Sequence, residues 1–384
     1  MLTEKQLEAA ILRIMDRIDE VNYLYIKKVA EQLQIAGELN ATSVHRIIRM
    51  IDMGADIREI TKALADATNK NIRDVMVIYQ AVVDDVMSDP AFSEALKANP
   101  LTRDQADRIV WFARNVATQT AEKMINLSNT TAIEESYREA VDKAILATSL
   151  GQDGYKAAAQ QIIREMGGNG LKVVYESGYR RRLDSAVRQN IIDGVNQINQ
   201  NASLAIGEML GYDAVQISAH RCSAPDHEPV QGHIFYLKEF EKMQNGEDCR
   251  DINGRFFAGF RRPIGEWNCM HIAMSFDTKT SISRYTDDQL KDFIRENHQG
   301  CEIGGKHYTL YQARQIMRQM ETEIRRAKDK AVAAQLNGND MDERRRQQRT
   351  INELSAKYQA VASASGLQPQ MQRTSVEGFR MVKV

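Results

Sequence analysis

Residues 214–237 read AVQISAHRCSAPDHEPVQGHIFYL, and residues 254–276 read GRFFAGFRRPIGEWNCMHIAMSF. The stretch they bound holds three of the four cysteines, four of the seven histidines and three of the six prolines. Val215 and Ile217 alternate with Gln216 and Ser218, the period of a half-buried strand. His233–Tyr236 and Arg255–Phe257 are further short strand candidates. Prolines and glycines at this density prevent a continuous helix. The stretch therefore reads as a small mixed module, and specific chemistry or contacts are expected to concentrate in it.

On both sides the pattern is helical. Ile11, Ile14, Met15, Ile18, Val21 and Leu24 recur at three and four, a core-facing stripe. Thr3–Gln6, Thr102–Gln105 and Thr131–Glu134 have the form of capping boxes. Pro90 and Pro100 bracket a short helix, and six or seven helices are expected before residue 150. Gly167-Gly168-Asn169-Gly170 predicts a break, since each glycine costs a helix about 1 kcal/mol relative to alanine. A helix is expected to resume near Arg180, with Leu183, Val187, Ile191, Val195 and Ile198 on its buried side, and to stop at Gly211. Glu239–Gly254 reads as a surface loop. Thr286–Gln289 starts another helix, Gly300–Lys306 a turn or hairpin, and Thr309–Gln312 a long basic helix to about Leu336. A last helix spans 341–365. The expected class is mainly α with a small α+β module. The expected division is a helical N-terminal domain (1–166), a central α+β module (171–280), a basic helical region (281–365) and an irregular tail (366–384).

Composition excludes several classes. No apolar run reaches the length of a membrane span. The N-terminus is amphipathic with interspersed acids, unlike a secretory signal. Four cysteines in 384 residues are not a disulfide framework, which points to synthesis in a reducing cytoplasm. From Lys306 onward, 15 Lys and Arg face 8 Asp and Glu, although the whole chain is near neutral. The excess peaks at Arg325, Arg326, Lys328 and Lys330, and again at Arg344, Arg345, Arg346 and Arg349. These residues are candidates for contact with DNA or an acidic protein surface. Interleaved acids also suit a solvated helix face.

His220, His227, Cys269 and His271 supply nitrogen and thiolate donors of the kind zinc (Zn) takes in tetrahedral sites. Their spacing departs from the usual close ligand pairs. The other reading is a structural polar cluster in which imidazoles bond backbone carbonyls or Asp226. Cys222 and His233 are spare donors, and Cys249 and Cys301 read as packing residues.

The run Tyr175-Glu-Ser-Gly178, Leu183-Asp-Ser-Ala-Val-Arg188, Gly194-Val-Asn196, Ile217–His220, His227 and Gln231-Gly232 resembles the phage minor capsid protein 2 family. Trp267-Asn-Cys269, His271 and Gly305–Tyr311 extend the resemblance, which is specific from about Tyr175 to Ala313. The group is related to the phage Mu head-morphogenesis proteins. The resemblance implies a structural, non-enzymatic virion component near the portal vertex, with the portal protein and other head proteins as partners. Its expected place is the phage head, with a role in assembly, packaging or ejection. A nucleic-acid-binding virion protein that uses the basic helices is the alternative. A metal-dependent nuclease or hydrolase, with His220, Asp226, His227, Asn268 and His271 as ligands and base, is the remaining one.

Overall fold

The computed structural model describes residues 4–38, 43–88, 97, 101–147, 159–162, 165–267 and 269–384. Thr3, Pro90, Pro100 and Asn268 lie outside them. Helices dominate, with a few small sheets, as expected from the periodicity. Among the described residues before 150 there are four long helices: α1 (Glu4–Glu38), α2 (Ser43–Met87), α3 (Arg103–Asn129) and α4 (Ile133–Ala147). Gly54 sits within α2 without interrupting it, and the short helix expected between Pro90 and Pro100 lies, apart from Lys97, outside the described residues.

Next come β1 (Lys172–Val174) and β2 (Arg180–Arg182), an antiparallel hairpin turned at Tyr175–Tyr179, and then α5 (Leu183–Leu210). The expected helix start near Arg180 is corrected to Leu183, since 180–182 pair with β1. The module contains β3 (Ala214–Ile217), β4 (Ile234–Tyr236), α6 (Leu237–Gln244), β5 (Cys249–Arg250), β6 (Phe256–Phe257) and β7 (Ala273–Phe276). The stretch 239–254, expected as a loop, carries the end of α6 and the two-residue strand β5, joined and followed by turns. Phe240, Met243 and Cys249 bury themselves in the module core, which anchors it. After the module follow α7 (Asp287–Gln299), the hairpin β8 (Cys301–Ile303) and β9 (Lys306–Tyr308), α8 (Leu310–Leu336) and α9 (Met341–Ser365).

The chain forms two compact units. The first takes Met1–Ala10, Ile72–Lys123 and Arg188–Gln315. The second takes Ile11–Asn71, Met124–Val187 and Ile316–Val384. Each draws on early, middle and late segments, whereas the division expected from sequence follows changes in composition along the chain.

In the first unit, β4-β3-β7 form an antiparallel sheet with β3 central. All four residues of β3 are buried. Val215, Ile217, Val230, Phe235, Phe240, Phe257 and Ile264 make the core beneath.

The second unit is held by buried charges. Arg182 bonds Asp184 and Asp329, both at 3.0 Å. Arg325 pairs with Asp184 at 3.0 Å and with Asp19. Burial pushes the Asp19 carboxyl up to about 7, although Arg325 pulls it down. The two guanidiniums overcome burial at Asp184 and hold it well below the usual carboxylate range. The tail 366–384 is irregular apart from one 3-10 turn at Met371–Thr374, but it is tied down. Arg325 donates to the Ser375 carbonyl at 2.7 Å and Lys328 to the Thr374 carbonyl at 2.7 Å. Phe379 packs against Ile324, Ala327 and Ile351.

Two local expectations need correction. The backbone at 165–169 is helical, so helix runs through Gly167 and Gly168 and ends only at Gly170. A Cβ on Gly167 would stand 2.8 Å from the Lys330 Cα, so this glycine serves close backbone approach. Thr131 forms no capping box: its hydroxyl donates to the Leu127 carbonyl at 2.7 Å, and helix α4 begins two residues later. The boxes at Thr102, Thr286 and Thr309 are present.

Gly167→Ala should lower thermal stability by about 1–3 kcal/mol through overpacking, outweighing the usual ~1 kcal/mol helix gain of alanine. Thr102→Ala should cost about 1 kcal/mol through its lost cap. Calorimetric unfolding of both variants checks this.

Candidate functional site

The site is built on one face of α5. Asn196, Gln200, Ser203 and Gly207 follow each other at four, three and four residues, so they share a stripe along the helix. That stripe runs beside the segment 269–275, which leads into β7. Asn196 Nδ2 donates to the Cys269 carbonyl at 2.7 Å. The Ala273 N–H donates to Gln200 Oε1 at 3.1 Å, and the Ser275 N–H to Ser203 Oγ at 2.9 Å. Ser275 Oγ returns a bond to the Ser203 carbonyl at 2.7 Å. At Gly207 a Cβ would stand 2.2 Å from Ser275 Oγ, so only glycine lets the strand lie this close. The stripe thus satisfies the edge of β7 that β3 leaves unpaired.

This placement sets Cys269 and His271 against the loop after β3. Cys269, His271 and His227 are 1 %, 1 % and 0 % exposed, and their candidate ligand atoms lie within 4.8 Å of one another. His227 Nδ1 is 3.0 Å from Cys269 Sγ, and His271 Nδ1 is 3.6 Å from the same sulfur. The His271 backbone N–H also points at the sulfur, at 3.3 Å. On the far sides of the rings, His227 Nε2 meets the Arg262 carbonyl at 2.7 Å. His271 Nε2 meets Ser223 Oγ at 3.3 Å and Gln231 Oε1 at 3.4 Å. His220 stacks on His271 with ring centroids 4.3 Å apart.

All four residues singled out from the sequence are therefore neighbours. Residues 227 and 269 meet although 42 positions separate them. Burial disfavours the charged form of the three rings in the cluster: His220 is pushed down to about 4, His227 is lowered and His271 lies well below the ordinary value. Burial likewise raises the Cys269 thiol. Asp226 stands 3.8 Å from His227 Nε2 but is clasped by Arg262, at 2.6 and 3.0 Å. His233 lies outside the cluster and bonds Asp251 at 2.8 Å. Cys222, Cys249 and Cys301 are buried.

The second group of candidate residues is divided by the fold. Arg325, Lys328 and Arg344 turn inward: Arg325 onto the buried acids, Lys328 onto Thr374 and the Phe379 ring, and Arg344 onto Asn339 and the Arg380 carbonyl. Arg326 pairs with Glu323 at 2.5 Å, and Lys330 is half-buried. Arg345, Arg346 and Arg349 remain exposed on α9. Arg346 is 3.2 Å from Glu343, and Arg345 is 3.9 Å from Asp342.

Sequence reasoning missed Asn196, Gln200, Ser223 and Gln231, which orient the cluster. For Asn196 and Gln200 the signal available was the polar run at helical spacing in α5; Ser223 and Gln231 lie in loops that no periodicity marks. Asn196→Ala and Gln200→Ala should each cost about 1–3 kcal/mol by stranding a buried backbone group. Denaturant unfolding should show both losses, while a change at exposed Glu208 should stay within ~0.5 kcal/mol.

No curated protein and no solved structure matches the chain. The sequence model of one family, phage minor capsid protein 2, matches residues 2–360, which is nearly the whole chain and includes every residue of the cluster and of the stripe on α5. The chain belongs to the phage minor capsid protein 2 family.

Proposed function

We propose that this minor capsid protein sits at the portal vertex of a tailed-phage head and takes part in head assembly, genome packaging or ejection. The observation that carries this reading is the family match over residues 2–360. The site's geometry supports a structural role. His227, Cys269 and His271 are buried, and the carboxylate a hydrolase would use as its base, Asp226, is held by Arg262. Portal protein and other head proteins are its proposed partners. Packaged DNA is a further one, for which Arg345, Arg346 and Arg349 of α9 offer the outward basic row. No helix among the described residues is long and apolar enough to cross a membrane.

Mass spectrometry of purified particles should find this chain at far fewer copies than the major capsid protein. An asymmetric reconstruction should place its density beside the portal. Density repeated over the icosahedral faces, or no chain in the particle, would refute the placement. Arg345→Ala with Arg346→Ala and Arg349→Ala should weaken DNA binding by the full chain and flatten its dependence on salt, because phosphate contacts release counterions.

A further inference from the structure

We propose that His227 Nδ1, Cys269 Sγ and His271 Nδ1 bind a zinc-like divalent transition metal that closes the central module. The argument is a count of protons. The Arg262 carbonyl can only accept, so His227 Nε2 carries the hydrogen and donates to it, and a neutral ring then presents a lone pair at Nδ1. Gln231 is oriented in the same way. Its Oε1 accepts the backbone N–H of His220 at 3.2 Å, which fixes the amide, so the His271 Nε2 facing that oxygen is also a donor. His271 is thereby left with a lone pair at Nδ1 as well.

Both lone pairs point at one sulfur. A thiol has one proton and can serve one of them. Protonating a ring serves that ring alone and places a charge where exposure is at most 1 %. A cation bound by a thiolate satisfies all three donors together. The spacing suits it: a nitrogen and a sulfur at tetrahedral positions on zinc are about 3.5 Å apart, from bonds of ~2.0 and ~2.3 Å. The His271 distance of 3.6 Å fits directly, and the 3.0 Å at His227 needs ~0.5 Å of opening.

Around the set, the far nitrogens are held by a carbonyl and a side-chain amide, and a backbone N–H faces the sulfur, the arrangement that orients ligands in metal centres. A second mark of a missing partner lies alongside. Nε2 of His220 and Nε2 of Gln231 are buried with no hydrogen-bond partner among the described residues. Complete burial suits a structural ion, one that ties the loop at 269–271 to the turn at His227.

Cobalt(II) titrated into the metal-stripped, reduced full chain is the test. About one equivalent should bind, with the thiolate-to-metal absorption of a tetrahedral site, and zinc should displace it. Cys269→Ser should abolish that absorption, and Gln231→Leu should weaken binding by about 10–100-fold. Cys249→Ala, in the nearby core, should leave it intact. Stripping the metal should lower the unfolding temperature of the wild-type chain. The wild-type titration stands without any variant, and circular dichroism checks that each variant is folded. A wild-type chain that shows no thiolate–cobalt absorption overturns the proposal. So does binding that survives in folded Cys269→Ser, which would mark an adventitious ion only.

Discussion

The polar stripe of α5 against β7 is the constraint on which the first unit depends. A three-stranded sheet leaves two edges with unpaired backbone groups, and burying such an edge without partners costs about 1–3 kcal/mol per group. Here Gln200 and Ser203 accept the two outward N–H groups of β7, and Asn196 holds the carbonyl of Cys269 just before it. Alternate residues of a strand face the same way, so the period of two along the strand meets the helical period along α5. The helix thus stands in for a fourth strand. Because it also fixes the approach to Cys269 and His271, the cluster inherits its geometry from the helix.

In the second unit the same role falls to charges. Asp19, the pair Arg182 and Asp184, and the pair Arg325 and Asp329 come from three places in the chain and meet away from water. Such a network contributes little net stability over an apolar packing of equal volume, because desolvation offsets the Coulomb gain. Its consequence is directional, since each arginine bridges two acids and fixes which segments meet. The Leu183–Arg188 run, part of the family resemblance, has an explanation in these terms. Leu183 is buried, Asp184 bridges two arginines, and Arg188 pairs with Glu8 at 2.6 Å in the first unit.

The basic residues of the C-terminal arm show how composition misleads about surface. Three of the eight cations that suggested an outward patch turn inside. Arg325 and Lys328 hold the tail by its carbonyls, and Arg344 reaches the Arg380 carbonyl. A guanidinium or ammonium can neutralise acids and anchor an irregular segment, and a count of Lys and Arg does not say which use the fold makes of it. What remains exposed is the row on α9 at 345, 346 and 349.

Local periodicity by itself determined the helical class, the buried stripe of α5 at Leu183, Val187, Ile191, Val195 and Ile198, strands β3, β4 and β6, and the caps at Thr102, Thr286 and Thr309. Each of these depends on neighbours within a few residues, which the sequence displays directly. The concentration of His and Cys also marked where a cluster would form, since buried polar groups must satisfy one another. Only the tertiary structure decided what depends on distant partners. Gly167 lies in helix with Lys330 packed closely against it, although the three glycines of 167–170 read as a break. Thr131 spends its hydroxyl backward on Leu127 because its backbone is bridged to β1. Stretch 239–254 folds into α6 and β5 because Phe240, Met243 and Cys249 find a core. The orientation of the two imidazoles is set by Arg262 and Gln231, groups 35 and 40 positions away, and no local spacing encodes a hydrogen bond of that reach.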